Sequence, residues 1–234
     1  MKNRKHRLTL FLLITACLLV ATPVRAHATE KRQTVFFGES TTAHLSRRGG
    51  VLDTPEGRGR VFRNESGTCM LSRRIMSTPI DLYEANGVKQ TLPLTDALAQ
   101  IQPARIVLSF GLNGIMGFIE NKDAFLGAYR VLIDGVRKYS PKTEIILQSV
   151  YPVRASEAFS VDADTLNAHI RTLNGWICAL AAEERIGYAD TASLLCDRYG
   201  ALRADYDCGD GIHLTNGAYE KILAYFSQKE RITA

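Results

Sequence analysis

The stretch "TVFFGESTTAHL", Thr34 to Leu45, decides how the chain folds. Its apolar residues run to Phe37 and stop at Gly38, and an acid, a serine and two threonines follow at once. A short apolar run closed by glycine predicts a buried strand that turns at its tip. Ser40 stands just past that tip. A serine there is either an ordinary cap for the next helix or, with a base in reach, a nucleophile. The choice depends on what the rest of the chain brings to the same place.

Working outward, the pattern of strand and helix repeats. "RVFRN" (60–64) reads as a weaker strand, after a basic, glycine-rich stretch from Arg47 to Arg60 that reads as a surface loop. "ARIVLSFG" (104–111) is a strand that again ends in glycine. "KDAFLGAYRVLIDGVRKY" (122–139) puts Phe125, Tyr129, Leu132, Ile133 and Val136 on one helical face. "TEIILQSVYPV" (143–153) is a strand stopped by proline, and "DADTLNAHIRTLNGWICALAAEE" (162–184) is a long amphipathic helix. "IGYAD" (186–190) is a short strand, and "TNGAYEKILAYFSQK" (215–229) is a closing helix with Thr215 as its N-cap. Apolar strands alternating with helices imply a parallel sheet covered on both faces. Right-handed crossovers then build an α/β fold, a three-layer αβα sandwich. Ligands of such sheets bind beyond the carboxyl ends of the strands. The turns "GES" and "GLNG" therefore fall on one rim.

The N-terminus carries a different signal. "MKNRKHR" leads into the apolar "LTLFLLITACLLVATPV" (8–24), which closes at "RAHA" (25–28). A basic start, an apolar run and a small-x-small ending predict a secretory signal peptide over residues 1–28, cleaved after Ala28 or Ala26. The alternative is an uncleaved anchor, because about 17 apolar residues reach the short edge of a bilayer span. "ITAC" (14–17) resembles a lipoprotein box and makes Cys17 a lipidation candidate, although the apolar run continues past it. Residues 29–234 are expected to form one exported domain. The leader holds Lys2, Arg4, Lys5, Arg7 and Arg25 and no acid, which leaves 24 basic against 24 acidic residues. The formal charge of +5 thus belongs to the leader. The remainder offers no argument for nucleic acid, and membrane contact is expected only through an uncleaved leader. Cys69, Cys178, Cys196 and Cys208 remain. An exported domain can form disulfides, and loop length favours Cys196–Cys208. The other pairings stay open, as does a reading of Cys69 and Cys178 as buried thiols. No C-x-x-C or His/Cys cluster has metal spacing.

The base for Ser40 must be an imidazole. His27 leaves with the leader if cleavage follows Ala28, His44 lies four residues after Ser40, and His169 sits within the long helix as a polar face residue. His213 lies in "CGDGIHLTNGAY", a glycine-flanked loop entering the last helix. Asp210 stands three residues ahead of it, where a carboxylate can bond Nδ1–H, fix the tautomer and stabilise the imidazolium. Asp207 is a weaker candidate for that role. Donors for an oxyanion come from Asn113 in "GLNG", from Gly67 in "NESGT" and from the Ser40 N–H at a helix start.

"FFGESTT", "NESGT", "LSFGLNG" and "DGIHLTNGAY" occur in the order and spacing of the four blocks of the SGNH (GDSL-type) hydrolases, and the chain resembles that family from about residue 33 to 228. The resemblance implies a flavodoxin-like sandwich with a five-stranded parallel sheet. It makes Ser40 the nucleophile, His213 the base and Asp210 its orienter, with Ser40, Gly67 and Asn113 forming the oxyanion hole. It implies no metal and no organic cofactor. Two positions depart from the pattern. Gly-Asp-Ser is here Gly-Glu-Ser, so Glu39 keeps the charge on a longer arm and can brace the turns around the site differently. Gly-x-Asn-Asp is here Gly-Leu-Asn-Gly, so Gly114 cannot supply the second acid's contact.

The implied function is a secreted serine esterase that cleaves carboxylic esters through an acyl-enzyme. The family acts on acetylated glycans, lipids, thioesters and small esters. Export points to an acetyl or short-chain esterase acting on a small ester or an acetylated saccharide of cell-wall or extracellular carbohydrate. The chain is short for a large lid, which argues against a lipase. Tyr83, Phe118, Tyr151 and Phe159 fall near rim loops, as packing residues or as platforms for sugars. Two other classes share the scaffold: a glycan-binding module without turnover, and an acyltransferase that differs only in its acceptor.

Overall fold

The apolar runs that end in glycine or proline become parallel strands. In the computed structural model, residues 33–47, 50–67, 69–83, 88–157 and 159–232 are described. The predicted leader and Cys17 lie outside them. The strands are β1 (Thr34–Gly38), β2 (Val61–Phe62), β3 (Pro79–Tyr83), β4 (Lys89–Pro93), β5 (Arg105–Ser109), β6 (Glu144–Gln148) and β7 (Gly187–Ala189). The helices are α1 (Ser40–Ala43), α2 (Pro55–Arg58), α3 (Leu94–Ile101), α4 (Ile115–Glu120), α5 (Lys122–Tyr139), α6 (Ala163–Glu184) and α7 (Asn216–Ile232).

Five strands form one parallel sheet in the order β2-β1-β5-β6-β7. The chain steps outward from β1 to β2, then crosses back over β1 to β5. The strand order therefore reverses between β1 and β5, which is where doubly wound sheets bind ligands. Side-chain alternation explains the two helical layers. Val35 and Phe37 of β1 join Ile106, Leu108 and Leu147 in a core closed by α5 and α6, through Phe125, Tyr129, Leu132, Leu173 and Ile177. Phe36 points the other way, into a second core with Val107, Ile146 and the Tyr219, Ile222 and Phe226 of α7. Every residue of β1 is buried, so truncating a phenylalanine there costs about 3–5 kcal/mol.

Several elements differ from the sequence reading. β3 and β4 pair as an antiparallel hairpin outside the main sheet, with Ile80 opposite Leu92. α3 and α4 are also additional. The basic stretch 47–60 is not all surface, because Leu52 is buried in the second core and its N–H donates to the Leu45 carbonyl. Thr215 immediately precedes α7, and its hydroxyl donates to the Asp205 carbonyl at 3.2 Å. The expected disulfide is absent, and all four cysteines are free thiols. Cys196 bridges antiparallel to Leu202, and its Sγ–H reaches the Gly200 carbonyl, so a local turn holds it away from Cys208. Cys69 is buried as a thiol, whereas Cys178 is exposed.

Candidate active site

The turn after β1 is tight because two backbones meet there. A Cβ on Gly38 would lie 2.3 Å from Thr42 Oγ1 and 2.4 Å from the Ser109 carbonyl, so only glycine fits. Glu39 is extended at φ −80°, and Ser40 opens α1. The first N–H groups of a helix have no partner within it, and among the described residues none accepts from the Ser40 N–H. Tyr219 Oη, buried on α7, donates to the Thr41 carbonyl at 2.6 Å and ties α1 to the last helix.

The second component is the loop before α7. Asp207 Oδ1 accepts from the N–H groups of Gly209 and Gly211, both at 2.9 Å, and so shapes the loop without meeting the imidazole. Asp210 Oδ1 accepts from the N–H of Ile212 at 2.9 Å and of His213 at 2.8 Å. Its other oxygen lies 2.6 Å from His213 Nδ1. A carboxylate only accepts, so Nδ1 carries the proton and Nε2 is left to accept. His213 Nε2 lies 3.0 Å from Ser40 Oγ. Three residues spread over 173 positions therefore form one hydrogen-bonded line. Partial burial pushes the Asp210 carboxyl up, but the bonds from the His213 ring and from the two N–H groups outweigh it and hold the carboxyl at about 2. It is a fixed negative charge against the imidazole.

The candidate oxyanion donors are held by side chains from the serine's own segment. Buried Glu39 reaches across to the turn after β5. Its Oε1 accepts from Gly111 N–H at 2.9 Å and Asn113 N–H at 3.2 Å, and its Oε2 from Leu112 and Asn113, both at 3.1 Å. Burial raises the Glu39 carboxyl to about 7, against the lowering effect of these three backbone donors. The longer acid is thus the brace of the Asn113 turn. The Asn113 side-chain amide has no partner among the described residues. Gly114 takes a left-handed backbone, φ +86°, immediately before α4.

Gly67 is placed differently from expectation. It packs near Ala43, at φ +73°, and a Cβ would lie 2.3 Å from Arg47 Nη1. Its N–H, however, donates to the Asn64 carbonyl at 3.0 Å and closes a turn. Arg47 clamps that turn by donating to the Ser66 carbonyl at 2.7 Å and to the Glu65 carbonyl. Of the three expected donors, the Ser40 N–H and the Asn113 amide are open, and the Gly67 N–H is engaged.

One further contact escaped the sequence reading. The His44 ring stacks on the His213 ring, with centroids 4.2 Å apart and planes 21° apart. Of the rim aromatics, Tyr151 is buried, and Phe118 and Phe159 pack on the first core. Tyr83 accepts a hydrogen bond from Arg63 at 3.0 Å. None of these is a free platform. Among the described residues Tyr199 is the exposed aromatic, at 75%. With Arg154, Arg198 and Arg203 it lines a cleft of about 420 Å³. This cleft borders the Asp210 loop, because the Arg154 N–H donates to the Gly211 carbonyl at 2.9 Å. Among the described residues there is no cluster of side chains suited to a metal ion.

Solved structures share this architecture. A GDSL-like lipase from Bacteroides thetaiotaomicron VPI-5482 matches with a TM-score of 0.59 and 19% identity, over 87% of this chain and 89% of that one. The aryl esterase of M. smegmatis matches with a TM-score of 0.56 and 16% identity, over 86% and 98%. At such identities the likeness is one of fold. No curated protein matches the sequence. The family model of the GDSL-like lipases and acylhydrolases matches residues 36–221, most of the chain, and with the sheet order and the four sequence blocks in place the chain belongs to that family, the SGNH (GDSL-type) hydrolases.

Proposed function

We propose that the protein is an exported serine esterase that removes acetyl or other short acyl groups from carbohydrate. One observation carries the chemistry: Ser40 Oγ, His213 Nε2, His213 Nδ1 and Asp210 Oδ2 lie in sequence at 3.0 and 2.6 Å. Ser40 attacks the ester carbonyl as His213 Nε2 takes its proton. Asp210 stabilises the imidazolium that results. The oxyanion meets the Ser40 N–H and the Asn113 amide, and the Gly67 N–H joins after exchanging its bond to Asn64. His213 then protonates the leaving alcohol. A water activated by the same imidazole attacks the acyl-enzyme, and Ser40 is regenerated.

Two features support a carbohydrate alcohol. The cleft beside the Asp210 loop combines an exposed tyrosine, the Arg198 guanidinium over one face of its ring, and further guanidinium and carboxylate groups, a lining with donors and acceptors for sugar hydroxyls. Residues 1–28 have the build of a secretory leader, which would deliver the enzyme to cell-wall or extracellular glycans. The N-terminal sequence of exported material is expected to begin after Ala26 or Ala28.

A fluorophosphonate should add one phosphonyl group to Ser40 by intact mass. Ser40→Ala should abolish both the adduct and the hydrolysis of a small aryl acetate, a loss on the order of 10³-fold or more. Full turnover by that variant ends the serine mechanism. A native protein that binds acetylated saccharide yet takes no adduct is a glycan-binding module. Transfer of acyl groups to sugar in preference to water identifies a transferase.

A further inference from the structure

The stack of His44 on His213 has no part in the proton path, yet it touches the ring on which that path depends. We infer that His44 is a positioning residue that sets the plane of the His213 imidazole through its face; this rests on the esterase reading only for its effect on rate.

The local sequence places it there. Ser40 starts α1, and a 3-10 turn from His44 to Ser46 follows directly. Residues four apart share a face of a helical turn. The ring at 44 therefore rises on the same side as the Ser40 hydroxyl and meets the imidazole that arrives to accept its proton. His213 has two in-plane partners, Asp210 at Nδ1 and Ser40 at Nε2. Rotation of the ring about its Cβ–Cγ bond would carry both nitrogens out of line with these partners. A parallel ring 4.2 Å away blocks that rotation from one side.

The test compares His44→Ala with His44→Phe in the full chain, with a melting curve as the check that each is folded. Should alanine fail that check, His44→Leu replaces it, because leucine fills the space without a flat face. The first readout needs no turnover. The Nδ1 proton of His213, bonded to a carboxylate, should give a far-downfield proton NMR signal, assigned by its loss in His213→Gln. It should be sharp in the wild type and in His44→Phe, and broadened or lost in His44→Ala. The second readout is the rate of fluorophosphonate labelling at Ser40, roughly tenfold or more slower in His44→Ala and restored to within about threefold in His44→Phe. A sharp signal and a full labelling rate in His44→Ala overturn the inference. So does a phenylalanine variant as impaired as alanine, or a wild type that lacks the downfield signal. If the signal follows the prediction and Ser40 takes no label even in the wild type, the positioning stands and the esterase reading falls.

Discussion

The two carboxylates nearest Ser40 sit in opposite surroundings. Glu39 is buried, touches only backbone N–H groups and titrates at about 7. Asp210 is half exposed, touches an imidazole and two N–H groups and titrates at about 2. One charge is kept fixed beside the ring that must become positive. The other holds a turn in place and can bind a proton near neutrality. The wider regions differ in the same way. The Asp210–His213 loop is shaped by its own side chains. The donor loops are not self-supporting: Glu39 ties one and Arg47 clamps the other. The segment from 39 to 47 thus holds the candidate nucleophile and reaches all three neighbouring loops, with His44 meeting the third.

The sharpest way to break this comparison is to empty the donor side. Asn113→Ala should lower kcat for a small aryl ester by about 10²–10³-fold while the hydrogen-bonded line at Ser40 stays intact. An unchanged kcat would place the developing charge elsewhere.

The next test uses the opposite pKa shifts. Glu39 is raised in the folded state, so its contribution to stability is complete below about 4.5 and is lost as the pH rises to about 7. The change is about 3 kcal/mol. Asp210 is lowered, so its contribution is present above about 3.8 and is lost as the pH falls toward 2. Urea midpoints measured from pH 2 to 8 should show a falling limb between 4.5 and 7. Glu39→Gln should remove that limb and Asp210→Asn should leave it. A limb that survives Glu39→Gln belongs to another group.

A smaller effect is expected at the cleft. Tyr199→Ala should raise KM severalfold for an acetylated saccharide and leave a small aryl acetate unaffected, the pattern of lost uniform binding. Equal effects on both substrates would remove the cleft from the substrate path. The smallest expectation is no change. With four free thiols, reductant should leave the melting temperature where it is.

Much of this was legible in the sequence, for physical reasons that also mark its limit. β1, β5 and β6 are buried on both faces, so they appear as unbroken apolar runs with sharp ends. α5 and α6 are long enough for their periodicity to show. The hairpin β3–β4 was not legible, because "PIDLY" interrupts its apolar run with a buried Asp81 after a proline and "KQTLP" is mostly exposed and polar; the dipeptide Asn86-Gly87 was the signal that could have found it. α3 does carry a stripe, with Leu94, Ala97 and Leu98 at i, i+3 and i+4, but its eight residues give little more than two turns of it and no side chain caps its start. In the site, Ser40, Asp210 and His213 stand in recognisable phrases. Arg47, Tyr219 and His44 act on partners 18 to 178 positions away. Nothing beside Arg47 in the chain distinguishes a clamp from one more cation in a basic stretch. The engaged Gly67 N–H is likewise a matter of backbone angle, which composition does not report.

The pairing of β1 with β5 has one more effect. Gly38 lies directly opposite Ser109, so the chain leaves both strands on the same rung, about 4.8 Å apart. Backbone ladders, rather than adjustable side chains, therefore gauge the gap between the two turns that would grip an acyl carbonyl. Diversification of such an enzyme toward bulkier alcohols or longer acyl chains must then proceed by remodelling the periphery, with this spacing carried unchanged from one specificity to the next.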